Sequence, residues 1–184
     1  MTGVSITVTL ADLGANKSLQ RLLDKMENRK PFFWAVGERL LASTQEHFQE
    51  ETGPDGFPWA PLAASTIRQR TRKGQLPLTI LRTNTRGRHG SSLAGSINYS
   101  ATNDQLSIGS PKVQAAMMQL GGTIEVPEQT RHMVGRRFAK AGAEGAREVT
   151  IKAHSITIPA RPYIGISEAD RVAITEDAED WLSG

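Results

Sequence analysis

The spacing of apolar residues changes several times along the chain, and each change predicts an element. Val4, Ile6, Val8 and Leu10 alternate with Ser5, Thr7 and Thr9. A period of two among β-branched residues predicts a half-buried strand. After Asp12 to Asn16 the period lengthens. Leu19, Leu22, Leu23 and Met26 recur at helical spacing and predict an amphipathic helix. A second, longer helix follows, with Asn28 as its expected N-cap and Pro31 in its first turn, where a missing N–H costs little. Phe33, Val36, Leu40 and Phe48 share one face of it, with Leu41 beside them. It should run to about Glu51, because two Pro and two Gly between Thr52 and Pro58 cannot continue a helix. Ser65 or Thr66 is then placed to cap a short basic helix ending near Lys73. The Gly, Thr, Arg and Asn-rich stretch from Gly74 to Gly90 reads as a long loop.

In the second half, Ser96–Ser100 and Gln105–Gly109 read as a β-hairpin turning at Thr102-Asn103-Asp104. Pro111 is expected to start a helix through Ala115, Ala116 and Met117 that Gly121-Gly122 ends. A strand is expected over Ile151–Ile158, with Arg131–Phe138 as its partner and the small, Gly-rich Ala139–Ala146 as a flexible tip. Ser167 is a suitable N-cap for a last helix with Glu168 and Asp170 in its first turn and a stripe of Ile174, Ala178, Trp181 and Leu182. The expected fold is α+β: an N-terminal strand, two helices (one long), a mostly antiparallel sheet with an extended hairpin, and a C-terminal helix. It forms a single domain over 1–184, with a long mobile loop at about 74–92 and a hairpin arm at about 128–158.

Composition narrows the classes of function. At 184 residues the chain can bury a real core, although aromatics make up 5% of it. Cysteine is absent, which excludes disulfides and thiolate metal sites. No apolar run approaches the roughly 20 residues of a membrane span, and Met1 to Ser5 lacks the features of a secretory signal. The chain is therefore expected in the cytoplasm of the producing cell unless it leaves inside a particle. Net charge is +3, unevenly spread. Between Asp55 and Asp104 there is no acidic residue, while Arg68, Arg70, Arg72, Lys73, Arg82, Arg86 and Arg88 all fall there. The C-terminal stretch is the reverse: Glu168, Asp170, Glu176, Asp177, Glu179 and Asp180 face Arg171 alone. Opposed blocks of this kind can bind each other, a second copy or a charged polymer, or simply be solvated.

No constellation for catalysis emerges. His47, His89, His132 and His154 are not spaced for a metal, and there is no HExxH. His47 falls on the apolar face of the long helix, where a packed histidine is the ordinary reading. Gly165-Ile166-Ser167 lacks the second half of a nucleophile elbow, because Ala169 stands where glycine is required. Gly53-Pro54-Asp55-Gly56 lacks the Lys-Ser/Thr ending of a phosphate loop. Glu46, Glu50 and Glu51 have nothing nearby to set them apart as acid and base. The basic stretch holds no aromatic on which a base could stack, so nucleic acid binding there would be a sequence-neutral contact with phosphates. No enzyme activity, cofactor, metal or small-molecule substrate is expected; a small cell-wall hydrolase stays as a distant alternative and a sequence-neutral DNA-binding protein as a nearer one.

Three stretches carry a resemblance. Phe48-Gln49-Glu50-Glu51 is followed by Pro54-Asp55-Gly56-Phe57-Pro58-Trp59-Ala60-Pro61-Leu62 and Thr66. Ala115-Ala116-Met117-Met118-Gln119-Leu120-Gly121-Gly122 is the second stretch. Ile158-Pro159-Ala160-Arg161-Pro162-Tyr163-Ile164-Gly165-Ile166-Ser167, with Asp170 after it, is the third. In this order and spacing the chain resembles the phage virion morphogenesis family of Mu-like phages and prophages, also described as tail completion proteins. The family's middle segment usually has tyrosine and histidine where this chain has Gln114 and Met118, so no role for those two side chains is carried over.

The resemblance implies a structural protein of virion assembly that acts in tail completion or at the head–tail neck. Copies of it are expected to close into a ring, since head-to-tail contacts around a symmetric DNA path close that way. Its expected partners are itself, other tail or neck proteins and, non-specifically, packaged DNA; it is expected in the host cytoplasm during assembly and then in the virion. The candidate interface residues are Trp59, Arg68, Arg70, Arg72, Arg161, Tyr163, Glu176, Asp177, Glu179 and Asp180. Trp59 can anchor the Pro-rich turn, and Arg161, held extended between two prolines, is suited to a salt bridge within the chain or to the next subunit. Arg131, Arg136, Arg137, Lys140, Arg147 and Lys152 flank the expected hairpin tip and are candidates for contact with DNA or a partner. The acidic end of the last helix is expected to meet a basic surface on a neighbouring subunit, with the Arg68 to Arg88 block as the candidate cation source, within the subunit or across a ring interface.

Overall fold

The computed structural model describes residues 13–82, 92–135 and 137–183. The strand expected over Val4–Leu10 and the second half of the Gly74 to Gly90 loop lie outside them. The fold is α+β, with antiparallel pairing throughout the described strands. Helix α1 (Leu13–Glu27) leads into the long α2 (Lys30–Glu50). Asn28 is not the N-cap: that position is Arg29, and it caps with no side chain. The capping comes instead from the hairpin of β1 (Asn98–Ala101) and β2 (Leu106–Gly109). In its turn, the Asn103 carboxamide accepts from Lys30 N–H at 3.1 Å and donates to the Glu27 carbonyl at 3.2 Å. One residue thus satisfies an orphan donor of α2 and an orphan acceptor of α1.

Glu51 ends α2 in the left-handed region, at φ 59. The chain then reverses through a tight turn, in which Gly53 N–H meets the Phe57 carbonyl and Asp55 accepts from Phe57 N–H. Trp59 is thereby carried back beside Phe48. Phe48, Trp59, Ile80, Leu93, Ile97 and Tyr163 form the core cluster, with Phe48 edge-on to Trp59 at 5.6 Å and 5.1 Å from Tyr163. Helix α3 (Ala64–Arg72) starts after Ala63 without a side-chain cap, so Ser65 and Thr66 lie in its first turn rather than before it. Helix α4 (Ala115–Leu120) starts four residues after Pro111, because Ser110 Oγ takes Lys112 N–H and holds the intervening residues in a turn.

An antiparallel ribbon leaves this body. Strand β3 (Gly122–Val126) pairs with β7 (His154–Ile158), and β4 (Gln129–Val134) pairs with β6 (Arg147–Ile151) and β5 (Arg137–Ala139). The expected pairing is corrected in two respects. His154–Ile158 pairs with Gly122–Val126, not with Arg131–Phe138, and the latter stretch folds back on itself at Gly135, where φ is +60. The single strand expected over Ile151–Ile158 is broken at Lys152-Ala153, opposite Pro127-Glu128. Pro127 has no N–H to give the ladder, which accounts for the break at that level.

The C-terminal helix α5 (Glu168–Ser183) packs along α2. Arg39 clamps Asp177 with two bonds of 2.8 and 2.9 Å, and Phe32 meets Trp181 at 5.5 Å. The apolar stripe of α1 is less covered than its periodicity implies: Leu19, Leu23 and Met26 are about half exposed, since α1 lies at the edge of the molecule against the end of α5.

Candidate functional site

The three familiar segments meet at one junction. Arg161 is 7% exposed, and its Nε and one terminal nitrogen donate to the carbonyls of Ala60 and Pro61 at 2.8 and 2.9 Å. Trp59 Nε1 answers by donating to the Pro162 carbonyl at 2.7 Å. Gln119 binds the third segment at three points: its Oε1 accepts from Tyr163 and Ile164 N–H at 3.0 and 3.1 Å, and its Nε2 donates to the Ile164 carbonyl at 2.8 Å. Tyr163, 1% exposed, donates its hydroxyl to the Ala115 carbonyl. Close approach requires two glycines: a Cβ on Gly121 would lie 2.6 Å from Ala160 N, and one on Gly165 2.5 Å from Pro54 Cγ. His47 is buried, and its Nδ1 lies 3.1 Å from the Tyr163 carbonyl, which assigns the proton to that nitrogen. Glu51 accepts from Ile80 N–H at 2.6 Å.

Three interface candidates therefore sit inside the chain. Trp59, Arg161 and Tyr163 are buried and bonded to main-chain groups of their own subunit. Arg161 is in no ion pair among the described residues; carbonyl oxygens hold it. Burial, with the charge of Arg70 nearby, lowers its pKa from the ordinary arginine value. Gln119, which no charge or periodicity singled out, turns out to be the hub of the junction; its one signal was its place in the second segment.

Asp170 organises the adjoining helix start. It is 6% exposed, and its Oδ2 accepts from Ser43 Oγ at 2.8 Å, Ser167 Oγ at 2.6 Å and Ser167 N–H at 3.0 Å. Ser167 Oγ in turn accepts from Asp170 N–H, completing a reciprocal cap on α5. Burial pushes the carboxyl up, but the Ser167 and Ser43 hydrogen bonds and the charge of His47 outweigh it, and its pKa lies below the usual carboxylate range.

The remaining candidates are on the surface. Arg68 and Arg72 are exposed on α3, and Arg70 ties down the following loop through the Thr79 carbonyl at 2.6 Å. Glu176, Glu179 and Asp180 are exposed on α5. Among the described residues, cations of α1 and α2 meet this acidic end: Arg39 of α2 pairs with Asp177, and Lys25 of α1 donates to the Trp181 carbonyl at 2.6 Å. A cation at the last turn is where the helix dipole favours one. Along the ribbon Arg131, Arg137, Lys140, Arg147 and Lys152 are exposed, and Arg136 lies outside the described residues. Among the described residues no group of His, Asp and Glu is placed to hold a metal ion, and no helix is long and apolar enough to cross a membrane.

An α+β body with a ribbon leaving it, and signature residues spent on joining the chain to itself, give the class of fold. The particular family follows from comparison: residues 12–183 match the phage virion morphogenesis family, and the chain belongs to it. It is also 32% identical over 111 residues to the putative capsid assembly protein G of Escherichia phage Mu, covering 60% of this chain and 67% of that protein. No solved structure matches. Its role lies in assembly of the phage virion, and membership of a morphogenesis family points away from enzymatic activity.

Proposed function

We propose that this chain completes the tail or the head–tail neck of the virion as a subunit of a homo-oligomeric ring, made in the host cytoplasm and carried into the particle. One observation carries the reading beyond the family. The outer part of the ribbon, β4 with β5 and β6, is a single-layer sheet that no helix of its own chain covers among the described residues. A sheet with an apolar side is ordinarily buried against a second layer, which supports a layer supplied by another chain. The similarity to a protein named for capsid assembly favours action where head and tail meet. Deleting the gene from its phage or prophage should leave DNA-filled heads and tails that fail to join, seen by electron microscopy of the lysate. Normal, infectious particles lacking the protein would overturn the reading.

A second reading has its own observation. Arg68 and Arg72 are exposed and in no ion pair among the described residues, as sequence-neutral contact with packaged DNA requires. Steeply salt-dependent retention of duplex DNA by the free subunit would favour it.

A further inference from the structure

The pairing register sorts the side chains of the ribbon tip onto two faces. Residues opposite one another in an antiparallel pair point to the same side, as do residues two apart along a strand. Met133 faces both Phe138 and Arg147, and Arg131 faces Val149. One face of the tip therefore carries Arg131, Met133, Phe138, Arg147, Val149 and Ile151, with Gln129 accepting from Arg131 Nε at 2.9 Å: four apolar groups and two guanidiniums, with no carboxylate. The opposite face holds Thr130, His132, Glu148 and Thr150, with Val134 and Arg137 at its far end, and it is the more polar of the two. Phe138 is 68% exposed on the first face. A sequence-neutral DNA contact needs cations alone, so the apolar groups there point to protein as the occupant.

A surface of matching character lies elsewhere on the same chain. The seam between α2 and α5 is an open groove of about 670 Å³, floored by Phe32, Ala35 and Trp181. Its ionised lining is Arg39 against Glu46, Asp170, Asp177 and Asp180, one cation to four carboxylates, a net charge of −3. Arg39 is taken up by Asp177 and Asp170 by its serines, whereas Glu46 and Asp180 are exposed and form no ion pair among the described residues. The tip touches neither α2 nor α5 of its own chain to any extent.

We infer that the apolar, cationic face of the ribbon tip docks on the α2–α5 groove of the next copy, with Arg131 and Arg147 toward Glu46 and Asp180 and Phe138 over Phe32, Ala35 and Trp181. The two surfaces differ, so each copy offers one and receives the other, the head-to-tail arrangement that closes into rings. The inference rests on the ring reading and names its interface.

Because the chain has no cysteine, F138C and A35C can be introduced as the sole thiols. Phage particles carrying the double variant should give a disulfide-linked ladder on mild oxidation, and each single variant should not. R131E/R147E should weaken self-association tenfold or more, and the exchange E46K/D180K should restore it when the two sets are combined. If an amine-reactive reagent gives the ladder but the paired thiols do not, the docking is wrong and the ring stands. If neither gives a ladder, the ring reading falls and the docking with it. If R131E/R147E abolishes retention of duplex DNA and leaves thiol cross-linking unchanged, DNA occupies this face and the docking charges are overturned.

Discussion

Gln119 shows how much one neutral side chain can hold. Its amide meets two N–H groups and one carbonyl of the same segment, and each, left buried without a partner, costs about 1–3 kcal/mol. Gln119→Leu keeps the bulk and removes all three bonds. A loss on the order of 2–4 kcal/mol in denaturant unfolding is expected, and a loss near zero would mean the third segment is held by other contacts. Asp170 makes a different demand. Its pKa is depressed in the folded state, so its contribution is present above the ordinary carboxylate range and lost as pH falls through the lowered value. Asp170→Asn should be destabilised against the natural chain at neutral pH, and the gap should narrow below about pH 4. A gap unchanged by acid would contradict the assignment. The Ser167–Asp170 cap is local and legible in the sequence, whereas the role of Gln119 could not be read from local pattern. Gln119 lies 44 residues from Tyr163, and His47 lies 116 residues from it, so the segments were legible as words while the reason for them was not.

At the level of elements, periodicity located most of the chain. The long helix, the β1–β2 hairpin with its turn, and the last helix with its Ser167 cap follow from residue spacing and capping chemistry. The strand partners within the ribbon did not. A period of two says which side of a strand is apolar, but pairing is decided by contacts far apart in sequence. Pro127 and the turn at Gly135 therefore reorganised the expected two-stranded arm into a two-stranded base and a three-stranded tip. The Asn103 cap was hidden for the same reason, since a hairpin turn serves the helix junction through space. Met133 faces Arg147 directly, so replacing Val134–Ala146 by Asn-Gly closes β4 onto β6 as a two-residue hairpin in its existing register. The unfolding free energy should stay within about half a kcal/mol of the natural chain, as for surface changes in general. Infectious particles should fall by orders of magnitude. Full infectivity with the tip removed would show that it has no partner.

For the molecule as a whole, the buried signature and the exposed surface are different sets of residues. The junction of Trp59, Gln119, Arg161 and Tyr163 fixes the body, and the surface left over is an open groove with acid groups and a projecting sheet with cations. The central claim is that such copies join around the axis of the virion, and the most direct measurement is an image of the particle at a resolution where helices are visible, with this chain labelled. The expected result is a closed ring of copies at the tail end or neck, each ribbon reaching over the neighbouring α2 and α5. A finished particle that contains no copy of the chain, or copies scattered without contact to one another, would contradict it.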